Sequence, residues 1–293
     1  MTDYIERFLD NCNVSEASIK SYNYVLRRFQ KWVEGTTGDP FSPEQLSKML
    51  IEDYKQSIRE KSPTYITKNL VVIKMFTLWA YDKQMIDYDP AHSIKFPEQV
   101  DPGPKWLSPG ERKKLINYLY RGDVDRRIIL LVVLSLSAGL RAEEVTEIKN
   151  EHIKAMATKG TLEVFGKGDK RRIVPLNKNV IEAIRNYWQD YPDRRKGYLF
   201  TNLRKGTKLT TRAIQYIMQD LQEILKFEEP LTYHRLRHTC FKKMADDGEP
   251  LDRIARIAGH MKKNGRPNLD TTVIYTKPNL DDLQEVVRRQ EWD

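Results

Sequence analysis

The sequence predicts a mainly α-helical protein in two domains, with a small β-sheet in the second. Three observations carry that expectation. Apolar residues in the first third recur at steps of three and four, the period of a helix buried along one face. A proline-rich run then breaks the pattern between Phe96 and Pro104. Beyond it, a short stretch around Leu162 to Val174 switches to strand-forming residues before helical periodicity resumes.

Ile19, Tyr22, Leu26, Phe29 and Val33 make one helical face, and Ser15 can cap its start. Ser42-Pro43-Glu44-Gln45 has the form of a capping box with proline at the first helical position, so a helix is expected there. Ser62-Pro63 opens another, with Ile66, Leu70, Ile73, Phe76 and Ala80 inward and Lys68, Lys74 and Lys83 outward. The segment Phe96 to Pro104 holds three prolines and one glycine in nine residues. Proline has a fixed φ and no N–H, so this segment can neither continue a helix nor join a sheet interior. A helical domain over 1–97, a linker over 98–104 and a second domain over 105–293 follow.

In the second part, Ser108-Pro109-Gly110-Glu111 is another capping box. An apolar helix from Ile128 ends near Gly139, and Arg141 begins the next. Leu162 and Val164, then Ile173 and Val174, suggest two strands joined by the turn Gly166-Lys167-Gly168-Asp169. Helices resume near Val180, Thr211, Tyr233 and Leu251. An amphipathic stretch from Leu280 to Trp292 is expected to close the chain.

Of the 293 residues, 40% are hydrophobic and 31% charged, and the net charge is +9. That suits a globular core and an anionic partner. Two cysteines, Cys12 and Cys240, are too few for a disulfide framework and fit a reducing, cytoplasmic setting. The acidic, amphipathic N-terminus is no secretory signal, and Ile128 to Leu140 is too short to span a bilayer. Membrane therefore recedes as the partner and nucleic acid advances.

Three of the five histidines lie close together: His234, His238 and His260. His234 and His238, four apart on a helix, could grip a metal. Arg235 and Arg237 place fixed positive charge between them, which repels a divalent cation, so no metal and no cofactor are expected. A phosphate site fits better. Arginine binds two phosphate oxygens at once and stays charged, and histidine moves protons near neutral pH. Arg141 follows a buried apolar run at a helix start, where the dipole also favours anions. Lys167 sits at a hairpin tip from which it could reach a leaving oxygen. Tyr275 follows the cationic set; a phenol of pKa near 10 needs such surroundings to act as a nucleophile. Tyr233 is the nearest rival, on another side of its helix.

Together, Arg141 in GLRAEEV, Lys167 in FGKGDKRR, HRLRH at 234–238, GH at 259–260 and TTVIYT ending in Tyr275 resemble the tyrosine recombinase (phage integrase) family. Each motif alone says little; five in order are specific. The resemblance covers most of the second part closely and the first part more loosely, as a SAM-like core-binding domain. It implies a two-domain clamp around double-stranded DNA bearing a specific target site. It also implies strand cutting and rejoining through a 3′-phosphotyrosyl intermediate, for integration, excision or resolution. Arg141 and Arg237 would clamp the scissile phosphate, Tyr275 would attack it, and Lys167 would protonate the leaving 5′ oxygen. His234 would act as base or acid toward the tyrosine, His260 would donate a hydrogen bond to the phosphate, and Glu144 would orient the arginine or His234. His238 would support the site.

The resemblance further implies a tetramer on two DNA sites, a monomer free in solution, and a simple Xer-like, transposon or plasmid type without an arm-binding domain before residue 1. The chain departs from the family by a longer, basic, turn-rich stretch after His260. Candidate DNA contacts are Lys170, Arg171, Arg172, Arg204, Lys205, Lys208, Arg212, Lys262, Lys263 and Arg266. The last helix would pack on its own domain or dock on a neighbouring subunit. Two other functions fit the same fold: a DNA-binding architectural or regulatory protein that does not cut, and a monomeric type IB topoisomerase.

Overall fold

Serine, threonine, aspartate and asparagine side chains cap the starts of most of the described α-helices. A computed structural model describes residues 3–98, 105–155, 159–166, 171–202, 204–262, 264–277 and 287–288. The expected hairpin tip with Lys167 and Lys170, Lys263, and nearly all of the expected closing helix lie outside the described residues. Two compact units divide the chain, Met1–Asp101 and Pro102–Asp293.

The first unit is helical throughout. Asp3 caps α1 (Tyr4–Asp10) and Ser15 caps α2 (Glu16–Thr37). The helix expected from Pro43 stops after a single 3-10 turn, Pro43–Gln45. Leu46 turns extended to bury its side chain, and Ser47 then caps α3 (Lys48–Ser57). Ser62 caps α4 (Pro63–Asp82). Leu26, Phe29, Val33, Ile51, Leu70, Ile73 and Phe76 meet in one core. The Lys74 ammonium donates to the carbonyls of Ala91, His92 and Ile94 at 2.8–3.0 Å and fastens the segment that follows α4.

The second unit is built around an apolar helix. The Ser108 box opens α5 (Pro109–Arg121), and α6 (Arg126–Ala138) is buried from Ile129 to Ser135. Gly139 ends α6 in the left-handed conformation, φ +63°, and α7 (Ala142–Thr146) begins at once with Arg141 as its N-cap. Among the described residues, β1 (Ile153–Ala155), β2 (Gly160–Phe165) and β3 (Arg171–Leu176) form an antiparallel sheet in that order. β1 was not among the expected strands. It is three residues long, follows a 3-10 turn at Asn150–His152, and shows no alternation of its own. Leu162 pairs with Val174 and Val164 with Arg172, so these four share the inward face, while Ile173 turns out to solvent.

α8 (Lys178–Asp190), α9 (Thr211–Leu225), α10 (Tyr233–Asp246) and α11 (Leu251–Ala258) complete the main packing, with α8 and α10 against α6. After α11 the chain makes a tight turn in which Met261 bridges Pro267. A short α12 (Leu269–Thr272) and a 3-10 turn over Val273–Thr276 then return it to α10. No described helix is long and apolar enough to cross a membrane.

Candidate active site

The site is organised by one buried carboxylate. Glu144, at the third position of α7, accepts the Arg141 backbone N–H at 2.8 Å and the Arg141 guanidinium at 2.9 Å. Arg172 reaches it from β3 with both terminal nitrogens, at 2.6 and 2.9 Å. Arg237 from α10 lies 3.9 Å away. Burial alone would raise the Glu144 pKa; the Arg172 fork and charge, then Arg141, reverse that and drive it down to about 2. One negative charge thus faces three guanidinium groups, leaving a surplus of positive charge.

Arg237 is 1% exposed. Its nitrogens donate to the carbonyls of Gly139 and Ala258, the ends of α6 and α11, and its guanidinium lies over the Phe241 ring at 4.7 Å. Burial and the neighbouring Arg141 pull its pKa down to about 10, so it remains charged at neutral pH. Gly139 is required on two counts. Its φ is positive, and a Cβ there would meet the Phe241 ring at 2.3 Å.

His260 follows the left-handed Gly259 and is buried. Its Nδ1 lies 3.1 Å from Thr272 Oγ1, whose hydroxyl donates to the Asn268 carbonyl. Its Nε2 lies 3.4 Å from Arg237 Nη2. Arginine can only donate, so Nε2 is an acceptor and Nδ1 carries the proton. Burial, then Arg237 and Arg141, push its pKa down to about 3. His260 thus braces Arg237 through Nε2. Thr272, which fixes this tautomer, was missed; a hydroxyl three residues before Tyr275 carries no signal until the fold brings it to His260.

Tyr275 is 1% exposed. Its ring lies 5.3 Å from Phe241, 5.4 Å from His238 and 6.1 Å from His260, nearly parallel to the last. Burial raises its pKa, and the pull of Arg237 and Arg141 does not fully offset that, so it rests as a neutral phenol. His238 also touches His234, ring to ring at 4.3 Å, and its Nδ1 is buried without a partner. Burial and His234 push the His238 pKa down to about 4. His234 is exposed and lines, with Arg141, a cleft of about 570 Å³ bounded by α7, α9 and α10. Its pKa is lowered by burial and by Arg237 and Arg141. Tyr233 is a core residue: buried, donating its hydroxyl to the Leu131 carbonyl. Cys240 is likewise buried, its thiol pushed up to about 12 by burial.

The expected DNA contacts divide. Arg172 is corrected: it points inward, 15% exposed, with Nε on the Ile257 carbonyl at 3.1 Å and both other nitrogens on Glu144. Arg171 is on the outer face, paired with Glu163. Arg204, Lys205, Arg212, Lys262 and Arg266 are exposed. Lys208 pairs with Glu147, Lys262 lies 3.3 Å from Asp270, and Arg212 stacks on Tyr216 at 4.6 Å.

A helical unit is followed by a unit in which arginines, histidines and a tyrosine come together, a set of groups suited to phosphoryl transfer by a tyrosine. Comparison with known proteins makes this specific. The phage integrase family model matches residues 105–281. The chain is 30% identical to tyrosine recombinase XerC of Pelobacter propionicus, over 94% of this chain and 89% of that one. It is 25% identical to tyrosine recombinase XerD of Listeria monocytogenes serovar 1/2a, over 99% and 98%. Its fold matches that of the XerH site-specific recombinase in a post-cleavage complex with palindromic difH substrate. That match has a TM-score of 0.76 at 19% identity, over 94% of this chain and 80% of that one. The chain belongs to the phage integrase family. It is a Xer-like tyrosine recombinase, a DNA breaking-and-rejoining enzyme.

Proposed function

We propose that this protein cuts one strand at a specific duplex site with Tyr275 and rejoins it to a new partner strand. The observation that supports this best is the convergence of Arg141, Arg237, His260 and Tyr275 around Glu144, with His234 at the open side. Arg141 and Arg237 hold the non-bridging oxygens of the scissile phosphate. The Tyr275 oxygen attacks phosphorus and its proton passes toward His234, through His238 or water. The bond from phosphorus to the 5′ oxygen breaks, and Lys167 supplies that oxygen's proton. The ester energy is kept in the phosphotyrosine, so attack by a 5′-hydroxyl reverses the step without an external energy source. Exposed Arg204, Lys205, Arg212, Lys262 and Arg266 contact backbone phosphates, which makes binding salt-dependent. The protein is monomeric when free, and four protomers on two sites exchange strands in pairs.

The test begins with the Tyr275→Phe variant, used to select its site from duplexes drawn from DNA flanking the gene. A nick beside the cleavage point then traps the cut product. Wild type is expected to form a protein–DNA adduct on a denaturing gel without added metal, and Tyr275→Phe none. Tight, specific binding with no adduct from either protein would make this a DNA-binding regulator.

A further inference from the structure

We propose that Arg172 is a positioning residue of strand cleavage: it absorbs the charge of Glu144 so that Arg141 and Arg237 remain free for phosphate. The inference rests on the recombinase reading. Arg172 shares the inward face of the sheet with Val164 and Val174 because of strand register. Its fork takes both oxygens of Glu144, at 2.6 and 2.9 Å, whereas Arg141 gives one guanidinium nitrogen and Arg237 stays 3.9 Å off. A two-pronged ion pair of this geometry is the strongest that a carboxylate makes. Arg141 meanwhile keeps 35% of its side chain exposed.

Without Arg172, Glu144 would face only Arg141 and Arg237. Its charge would draw both inward and cancel much of the attraction meant for the substrate. Arg172 has a second anchor. Its Nε holds the Ile257 carbonyl, and its guanidinium lies 3.1–3.2 Å from where a Cβ on Gly259 would stand. It therefore also sets the turn that carries the Ala258 carbonyl and His260, both of which contact Arg237.

The test measures single-turnover adduct formation on the nicked duplex selected above. The proteins are wild type, Arg172→Met, Arg172→Lys, Glu144→Gln and the Arg172→Met/Glu144→Gln double variant. Arg172→Met is expected to slow cleavage by about 100-fold, while duplex affinity and its salt slope change little, because the contact weakened is to one phosphate among the several that hold the duplex. Removing the unbalanced carboxylate should restore about tenfold of that loss in the double variant, a coupling that mere structural damage would not produce. Arg172→Lys keeps the charge without the fork and is expected to cleave about fivefold more slowly than wild type.

Wild-type cleavage by Arg172→Met, or a double variant no faster than Arg172→Met, overturns the proposal. A salt slope shallower by one phosphate contact would return Arg172 to the DNA surface. If Arg172→Met does not fold, a wild-type rate in Arg172→Lys overturns it alone. No adduct from wild type itself would instead overturn the recombinase reading beneath it.

Discussion

Arg235 and Arg237 stand two residues apart on α10, both buried, and meet opposite fates. Arg235 is held by Glu111, one nitrogen lying 2.9 and 2.8 Å from the two carboxylate oxygens, and it also donates to the carbonyls of Trp106 and Glu229. Its charge is neutralised in place. Arg237 has carbonyls and a histidine nitrogen for partners, and its nearest carboxylate, 3.9 Å away, is taken by Arg172. A buried charge without a full counter-charge is costly to fold. The difference separates the two sides of the helix: one pairs its charge with a carboxylate of its own, and the other buries a charge without one.

The largest effect should come from the open charge. Arg237→Met should lower adduct formation by about 1,000-fold or more, measured on the nicked duplex; a loss under tenfold would erase the distinction between the two arginines. Arg235→Met should show the converse, a loss of about 3 kcal/mol in stability because Glu111 loses its charged partner and keeps only the Ser108 N–H. Denaturant unfolding measures that, and the cleavage rate per folded molecule should equal wild type.

The pH dependence of stability sharpens the contrast further, because it belongs to the catalytic face. His260 takes a proton near 6.5 when unfolded but only at about 3 when folded. Its contribution is therefore complete above pH 6.5 and is lost as pH falls below it. Each unit of acidification from 6.5 toward 4 should cost about 1.4 kcal/mol through this group, and His260→Asn should flatten the slope. Glu144 acts lower, its contribution present above pH 4.5 and lost as pH falls toward 2. The smallest effect lies on the closed face. Thr239 accepts the Leu107 N–H at 2.9 Å, so Thr239→Val should cost about 1–3 kcal/mol, the penalty for a buried donor left unpaired, with cleavage unchanged.

Much of the frame was legible because its signals are local. Ser15, Ser62 and Ser108 cap the helices they were expected to cap, and Gly139 ends α6. The capping motif at Ser42 misled because tertiary burial of Leu46 outweighed it. β1 escaped notice because a three-residue strand exists only through its partner. Within the site, the motifs located the arginines, histidines and tyrosine, but not which charge answers which. Arg172 read as part of a basic run, yet its parity with Val174 and Leu176 already placed it on the buried face. Thr272 and the Gly139 carbonyl join the site only through long-range folding, which no spacing encodes.

The burial of Tyr275 bears on timing and error. A phenol that is 1% exposed and raised in pKa is sheathed from the phosphodiesters of any DNA that the protein slides along. On the proposed mechanism, Tyr275 reaches a phosphodiester only after a local opening of the segment from Leu269 to Thr276. An enzyme that breaks DNA gains from this arrangement: slowness at random sequence is a form of fidelity.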